Sequence, residues 1–309
     1  MNGLLLILLC MVIGFVLKKT GRLPLAFGRV LNHWVIKVAL PALVFVHIHQ
    51  MASGSSLTSE MFIPISMAWI QFIFAFICYL VFRRVFSMGV STAGSLFLTI
   101  GLGNTSFVGF PLIRALFGEG AISTAVLVDQ PGSFLVLSTL GLFAASALSS
   151  TESGFDRVVG VLKKVVSFPP FIALVGALVF ANFRIPAFLK LTLDCLSDTL
   201  MPVALISVGF QLQVSFEKVR ARALPLGLGL LAKLILTPIC MSLIYLKLLP
   251  YHGQMSQVIV VESAMAPMIT GGILASESGL DPELASLMVG VGIPLSLITV
   301  PIWAKLIGV

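Results

Sequence analysis

The polar residues of greatest chemical interest lie inside an apolar stretch of the chain, LGNTSFVGFPLIRALF at residues 102–117. Within nine positions it holds six small, polar or helix-breaking residues: Gly103, Asn104, Thr105, Ser106, Gly109 and Pro111. The Asn104 amide can donate a hydrogen bond to a carboxylate and accept one from a hydroxyl, and the next two residues add hydroxyl donors. We predict that Asn104, Thr105, Ser106, Gly109 and Pro111 contribute to a ligand site. The alternative is that Asn104 only caps a helix that starts beside it.

Three ionisable residues also lie within apolar segments: Asp129 in VLVDQPGSF, Lys233 in GLLAKLILTP and Glu262 just before a second proline-containing stretch. A charge inside a membrane is costly and is usually paired or functional. We predict an Asp129–Lys233 pair that binds a coupling proton or holds substrate charge, with a static salt bridge as the alternative. Glu262 is predicted either to bind a proton or to face an aqueous vestibule without a specific role. Arg114 is predicted to attract anions or to anchor its helix at the membrane interface.

Metal, cofactor and enzyme chemistry have no pattern to support them in this sequence. The four histidines are not clustered with acids or cysteines, and the four cysteines lack metal-ligand spacing. No HExxH motif, nucleophile elbow or Walker motif occurs. We therefore expect no metal, no cofactor and no enzymatic activity.

Composition indicates a polytopic membrane protein, because 58% of the 309 residues are hydrophobic and only 10% are charged, against about 25% charged in soluble domains. Windows of about 20 residues predict ten helical spans in the lipid bilayer. Their approximate bounds are 2–17, 30–49, 61–82, 92–116, 120–148, 167–183, 194–213, 223–248, 254–276 and 283–307. We assign the net charge of +7 to loops at the membrane surface and not to nucleic-acid binding.

Basic residues are distributed unevenly between the two sides of this predicted membrane protein. Twelve of them fall in the first, third, fifth and seventh loops, and five fall in the even-numbered loops and near the C-terminus. Since basic loops stay in the cytoplasm, both termini are predicted to lie outside it.

The two halves of the chain can be aligned with a shift of 161 or 162 residues, which predicts five-span repeats at residues 1–150 and 151–309. An odd number of spans places similar halves in opposite orientations, as in many secondary transporters. The shift carries the first polar stretch onto VESAMAPMITGGI, where Ala266, Pro267 and Met268 lie at a second break. We expect residues 104–111 to be unwound, with the two breaks meeting around a ligand near the membrane midplane. Simple proline kinks are the alternative.

Three motifs carry a resemblance to a known family. GNTSFVGFPLIRALFGEGA resembles the fourth-span motif of the auxin efflux carrier family, which includes malate and malonate permeases. SAMAPMITGGILASESGLDPELAS resembles its ninth-span motif, and LNHWVIKVALPALVF resembles its second span. The resemblance implies an all-α fold like that of sodium/proton antiporters, with ten transmembrane helices in two inverted repeats. It also implies a homodimer, a scaffold of spans 1, 2, 6 and 7, and a transport domain of spans 3–5 and 8–10. The substrate would lie where broken spans 4 and 9 cross.

The expected function is secondary active transport of small organic anions by alternating access. The resemblance implies mono- or dicarboxylates such as malate or malonate, carried by a proton-coupled or uniport mechanism across the inner membrane of a bacterium. A sodium-coupled symporter of the bile-acid transporter type is the alternative, because Asn104, Thr105, Ser106 and Glu262 offer oxygen ligands.

Overall fold

The computed structural model describes residues 2–24, 26–54, 61–149, 167–212, 215–249 and 253–309, and within these ranges the chain is helical with no strand. The helices are α1 Asn2–Lys19, α2 Phe27–Ser53, α3 Phe62–Arg84, α4 Val90–Gly101, α5 Thr105–Phe117, α6 Glu119–Leu148, α7 Pro169–Val179, α8 Ala187–Gln211, α9 Phe216–Ala221, α10 Ala223–Leu248, α11 Gln254–Ser263, α12 Ile269–Glu277 and α13 Pro282–Leu306. The predicted boundary between the two repeats, at residues 150–151, lies outside the described residues.

The apolar sequence forms helices because the hydrocarbon core offers no water, so that each backbone N–H and C=O needs a partner inside the protein. In the described part of the chain, α2, α3, α6, α8, α10 and α13 are long and apolar enough to cross a membrane. The prediction of an all-helical polytopic membrane protein is thus confirmed. The predicted fourth and ninth spans are each divided into two shorter helices. The count of ten spans and the inverted repeat stay predictions.

The start of α8 differs from the predicted seventh span, which was placed at 194–213. The helix begins at Ala187, seven residues earlier, directly after Pro186. A proline fixes its own φ and supplies no N–H, which suits a position at the beginning of a helix. The polar residues Lys190 and Asp194 therefore lie on the first turns of α8, where they form an ion pair of 2.9 Å.

Wider π-type turns interrupt several helices of the described chain. They occur at Val35–Ala39, Thr105–Gly109, Val128–Phe134, Leu137–Gly141, Ala232–Leu236 and Leu243–Leu248. Such turns are uncommon and are frequent at functional sites. Three of them contain residues selected from the sequence for their chemistry, namely Thr105 and Ser106, Asp129, and Lys233.

The helices pack in two groups. In the first helix group, α1 and α2 pack on α8, and α7 packs on α2. In the second helix group, α4 packs on α3, α10, α12 and α13, while α6 and α11 also pack on α3. Helix α5 follows α4 in the chain and contacts α6 and α11 of its own group as well as α1 and α8 of the other. It therefore lies at the boundary between the two groups.

Within the first helix group, α1 and α8 approach each other backbone to backbone. A Cβ atom added to Gly14 would overlap the carbonyl oxygen of Ile206, and one added to Gly209 would overlap that of Met11. Glycine at both positions lets the two helix axes come closer than any side chain would permit. Small residues serve the same purpose in other membrane helix pairs, where dispersion contacts replace the hydrophobic effect.

We predict that Gly14→Ala and Gly209→Ala each destabilise the protein, because the added methyl group must push two backbones apart. The expected cost is about 1–3 kcal/mol per substitution, the range for overpacked cores. It is measured as a lower thermal unfolding midpoint in detergent. Gly227→Ala on α10 is the matched control, since no atom lies within 4 Å of its added Cβ. Equal midpoints for all three variants would contradict the close packing.

Candidate functional site

The interrupted helices meet at one place in the second helix group. Helix α4 ends at Gly101 and α5 begins at Thr105, while α11 ends at Ser263 and α12 begins at Ile269. The Met268 N–H donates to the Leu102 carbonyl at 2.9 Å, and the Asn104 N–H donates to the Ala266 carbonyl at 2.8 Å. We call this antiparallel contact of residues 102–104 and 266–268 the crossing. It supplies partners for backbone groups that a helix end leaves unpaired.

The break in the first stretch is shorter than the sequence suggested, and the expectation that residues 104–111 are unwound is wrong. Only residues 102–104 leave the helical conformation, and Thr105–Gly109 forms a π turn that runs into a regular helix. Pro111 lies just after that turn as the seventh residue of α5, where π-type hydrogen bonds change to α-helical ones, and it supplies no N–H to that ladder. The proline thus lies within a helix that begins at the crossing, and it does not end that helix.

Glycines allow other helices to approach the crossing. A Cβ added to Gly292 of α13 would lie 2.6 Å from the Pro267 ring, and one added to Gly103 would lie 3.3 Å from the Lys233 ammonium nitrogen. The second break therefore fits against α13 only because position 292 has no side chain.

Asn104 is buried at the crossing, with 2% of its surface exposed. Its Oδ1 accepts a hydrogen bond of 3.1 Å from the Phe107 N–H, so the side chain caps α5. Its Nδ2 has no hydrogen-bond partner among the described residues. The residue therefore performs the capping role and keeps a buried donor that a ligand can use.

The Asp129 carboxylate lies in a π turn of α6 and is surrounded by neutral donors. Its Oδ1 accepts hydrogen bonds of 2.5 Å from both the Thr105 and the Ser106 hydroxyl groups. Its Oδ2 accepts one of 2.6 Å from the Gln130 amide. The two hydroxyls predicted to contact substrate thus also tie the start of α5 to α6.

Lys233 and Glu262 are fully buried close to the crossing. The Lys233 ammonium group donates to the Ser263 carbonyl at 3.0 Å, at the end of α11 where a positive charge complements the helix dipole. Neither carboxylate oxygen of Glu262 has a hydrogen-bond partner among the described residues. A Cβ added to Gly109 would lie 2.6 Å from Glu262 Oε2, so this carboxyl group packs against the backbone of α5.

The direct Asp129–Lys233 ion pair predicted from the sequence is wrong. Within the described chain, the ion pairs do not include these two residues. Each has taken a different partner, Asp129 the hydroxyls at the start of α5 and Lys233 the carbonyl at the end of α11. The sequence showed that both charges were buried, and it could not show which neutral groups would stabilise them.

Sequence reasoning missed two buried amides near these charges. Gln71 of α3 donates to the Ile100 carbonyl at 3.0 Å, and its Oε1 has no partner in the described structure. Gln130 donates to Asp129, and its Oε1 is likewise without a partner there. The available signal was a polar residue inside an apolar run, WIQFIF for Gln71 and LVDQPG for Gln130.

A cavity of about 290 Å³ lies between α8 of the first helix group and α12 and α13 of the second. Its wall includes Ile269, the first residue of α12, so the cavity begins next to the second break. It extends toward the ends of α8 and α12, where its wall includes Gln211 and Glu277. The predicted binding residues are not among those that line this cavity, and they lie instead at the crossing and in the first half of α5.

The described residues contain no group of three or more histidine, cysteine, aspartate or glutamate side chains arranged to hold a metal ion. The oxygen atoms around the crossing belong mainly to carboxylates, amides and hydroxyls on different helices. The polar groups of this site are therefore suited to hydrogen bonding with a ligand and to proton exchange.

Comparisons with known proteins identify related membrane transporters. The family described as "Membrane transport protein" matches residues 1–304. An uncharacterized transporter of Methanocaldococcus jannaschii is 27% identical, over 98% of this chain and 97% of its own. One from Methanothermobacter thermautotrophicus is 28% identical, over 96% and 95%. The transporter YfdV of Escherichia coli K12 is 23% identical, over 98% and 96%. These relatives are transporters, and the chain belongs to the membrane transport protein family, the auxin efflux carrier family.

Proposed function

We propose that the protein is a secondary active transporter of small organic anions, mono- or dicarboxylates such as malate or malonate, which it moves by alternating access. The observation that carries the proposal is the crossing, where two helix breaks bond to each other and leave the buried Asn104 amide donor unpaired. Interrupted helices of this kind form substrate sites in other secondary transporters.

The helix ends that face the crossing favour a negatively charged substrate. Both α5 and α12 begin there, and a helix N-terminus carries a positive partial charge and unpaired N–H groups. Among the described residues no side chain caps the start of α12, and Ile269 on its first turn borders the cavity. An anion entering through the cavity would meet these N–H groups together with Asn104 Nδ2. Ala266, Pro267 and Met268 would shape this site through their backbone.

We propose that Glu262 carries the coupling proton. Its two oxygens receive no hydrogen bond from the described residues, whereas those of Asp129 receive three. The described part of the chain therefore supplies hydrogen-bond donors to the Asp129 carboxylate and none to that of Glu262. A proton carried by Glu262 would offset the charge of the substrate anion during its passage. Lys233 would hold the end of α11 in place beside it.

The packing of the helices supports a division of labour for alternating access. In our proposal, the first helix group (α1, α2, α7 and α8) is the scaffold and the second helix group moves against it. The cavity lies at their boundary, as a substrate pathway requires. The protein would work as a homodimer in the inner membrane of a bacterium, with both termini outside the cytoplasm.

Sodium coupling is a second candidate, and one observation favours it. Oxygen atoms without a hydrogen-bond donor in the described structure occur on Gln71, Gln130 and Glu262, all buried around the crossing. Hard cations bind to sets of oxygen ligands of this type. Uptake that requires sodium and ignores a proton gradient would select this candidate.

The first test is uptake of labelled malate and malonate into proteoliposomes, with and without an inward proton gradient and with and without sodium. We expect Asn104→Ala to reduce uptake by about 10- to 100-fold, the effect of losing a hydrogen bond of about 1.5–3 kcal/mol to a charged ligand. Asn182→Ala, on an exposed turn after α7, is the matched control. Normal uptake by Asn104→Ala would place the substrate elsewhere and leave this residue as a cap.

Glu262→Gln is predicted to abolish the stimulation of uptake by a proton gradient, because an amide of similar shape cannot exchange the proton. Uptake along the substrate's own gradient is expected to continue. Glu217→Gln, an exposed residue of α9, should keep the wild-type stimulation. Gradient stimulation that survives in Glu262→Gln would exclude this residue as the coupling group, and a wild type indifferent to the gradient would indicate a uniporter.

Gly109→Ala is predicted to lower uptake at least tenfold, because its Cβ would enter the space of the Glu262 carboxyl group. The π turn of α5 or the carboxylate would have to move. Gly120, eleven residues later, has no atom of the described structure within 4 Å of an added Cβ. The variant Gly120→Ala should therefore transport normally. Both variants are to be compared at equal amounts of folded protein, judged by gel filtration. Full uptake by Gly109→Ala would show that this close contact is not required.

A further inference from the structure

A single ion pair joins the two helix groups within the described chain. The Arg114 Nη1 atom of α5 lies 3.7 Å from the Asp198 Oδ1 atom of α8. The Arg114 Nε atom also lies 2.7 Å from Glu119 Oε1, at the start of α6. The other ion pairs of the described residues, Lys190–Asp194 and Arg222–Asp281, each lie within one group.

The Arg114–Asp198 pair lies on the opposite side of the crossing from the cavity. Residues 102–104 and 266–268 run antiparallel, so α5 and α12 leave the crossing in opposite directions. Arg114 is ten residues along α5 from Asn104, or about 15 Å at the rise of an α-helix. The cavity extends along α12, in the direction opposite to α5. On α8 it borders Gln211, about 20 Å along the helix from Asp198.

The boundary between the two helix groups is therefore open at one end and closed at the other. At the cavity end, α8 is separated from α12 and α13 by open space. At the other end, α8 and α5 are held together by charge. The Arg114 side chain is 18% exposed and that of Asp198 is 73% exposed. A pair of this exposure is weak and screened by water, so it can break and re-form in each transport cycle.

We propose that the Arg114–Asp198 ion pair is a latch, which stabilises the conformation with the cavity open and must break before the opposite side opens. This inference rests on the proposed alternating-access function. Glu119 pairs with Arg114 from within the same helix group, so the guanidinium keeps one acidic neighbour when Asp198 departs. Arg114 thus has one acidic neighbour in its own helix group and one in the other group, and only the second is lost when the groups separate.

The test measures conformation without any substrate, so it can succeed or fail independently of anion uptake. Ile273, which borders the cavity, is replaced by cysteine in a variant without the native Cys10, Cys78, Cys195 and Cys240. The rate at which a membrane-impermeant thiol reagent modifies Ile273→Cys reports how often the cavity is open. We expect Asp198→Asn and Arg114→Gln each to lower this rate about two- to tenfold, and the double variant to resemble either single one.

Asp194→Asn is the matched control, because Asp194 lies one turn earlier on α8 and its ion pair among the described residues is with Lys190 of the same helix. It should leave the rate unchanged. The latch would be overturned if Ile273→Cys were modified at the same rate with and without Asp198→Asn. It would also be overturned if the effects of the two substitutions on this rate were additive in the double variant. If Arg114→Gln fails to fold, Asp198→Asn at an exposed position still provides the test. Gel filtration then confirms that this variant is folded.

Discussion

The exchange of two backbone hydrogen bonds between interrupted helices is the constraint on which the site depends. A helix that stops inside a membrane exposes N–H and C=O groups that hydrocarbon cannot satisfy. Here the Leu102 and Ala266 carbonyls accept from the opposite stretch, so each break supplies the partners of the other. Neither break would be stable alone at that depth, which makes the two helix pairs one structural unit.

The arrangement of the buried charges follows from this unit. Once α5 starts at Thr105, its first hydroxyl groups face Asp129 and its Gly109 faces Glu262. The end of α11 then offers a carbonyl to Lys233. Charges that would be prohibitive in hydrocarbon are accommodated by helix ends and neutral donors. Asp129, with three donors, and Glu262, with none from the residues that the structure describes, can then serve different roles.

The first helix group contrasts with this polar region. Its α1–α8 contact depends on Gly14 and Gly209 and leaves no room between backbones. Close apolar packing of that kind resists deformation. The second group meets it at a boundary with a cavity at one end and a weak ion pair at the other. Such a boundary is more easily rearranged than either group's interior, as alternating access would require.

The sequence by itself determined the membrane class, the helical character, the approximate positions of both breaks and the presence of the charges Asp129, Lys233 and Glu262 within apolar segments. These properties depend on local composition. The length of each apolar segment and the positions of proline, glycine and isolated charges can be read directly from the sequence. It did not determine the partners. The Asp129–Lys233 pair was wrong, Gln71 and Gln130 were missed, and the unwound stretch proved to be residues 102–104. Which donor meets which carboxylate depends on how helices distant in sequence pack, and only the tertiary structure decided that.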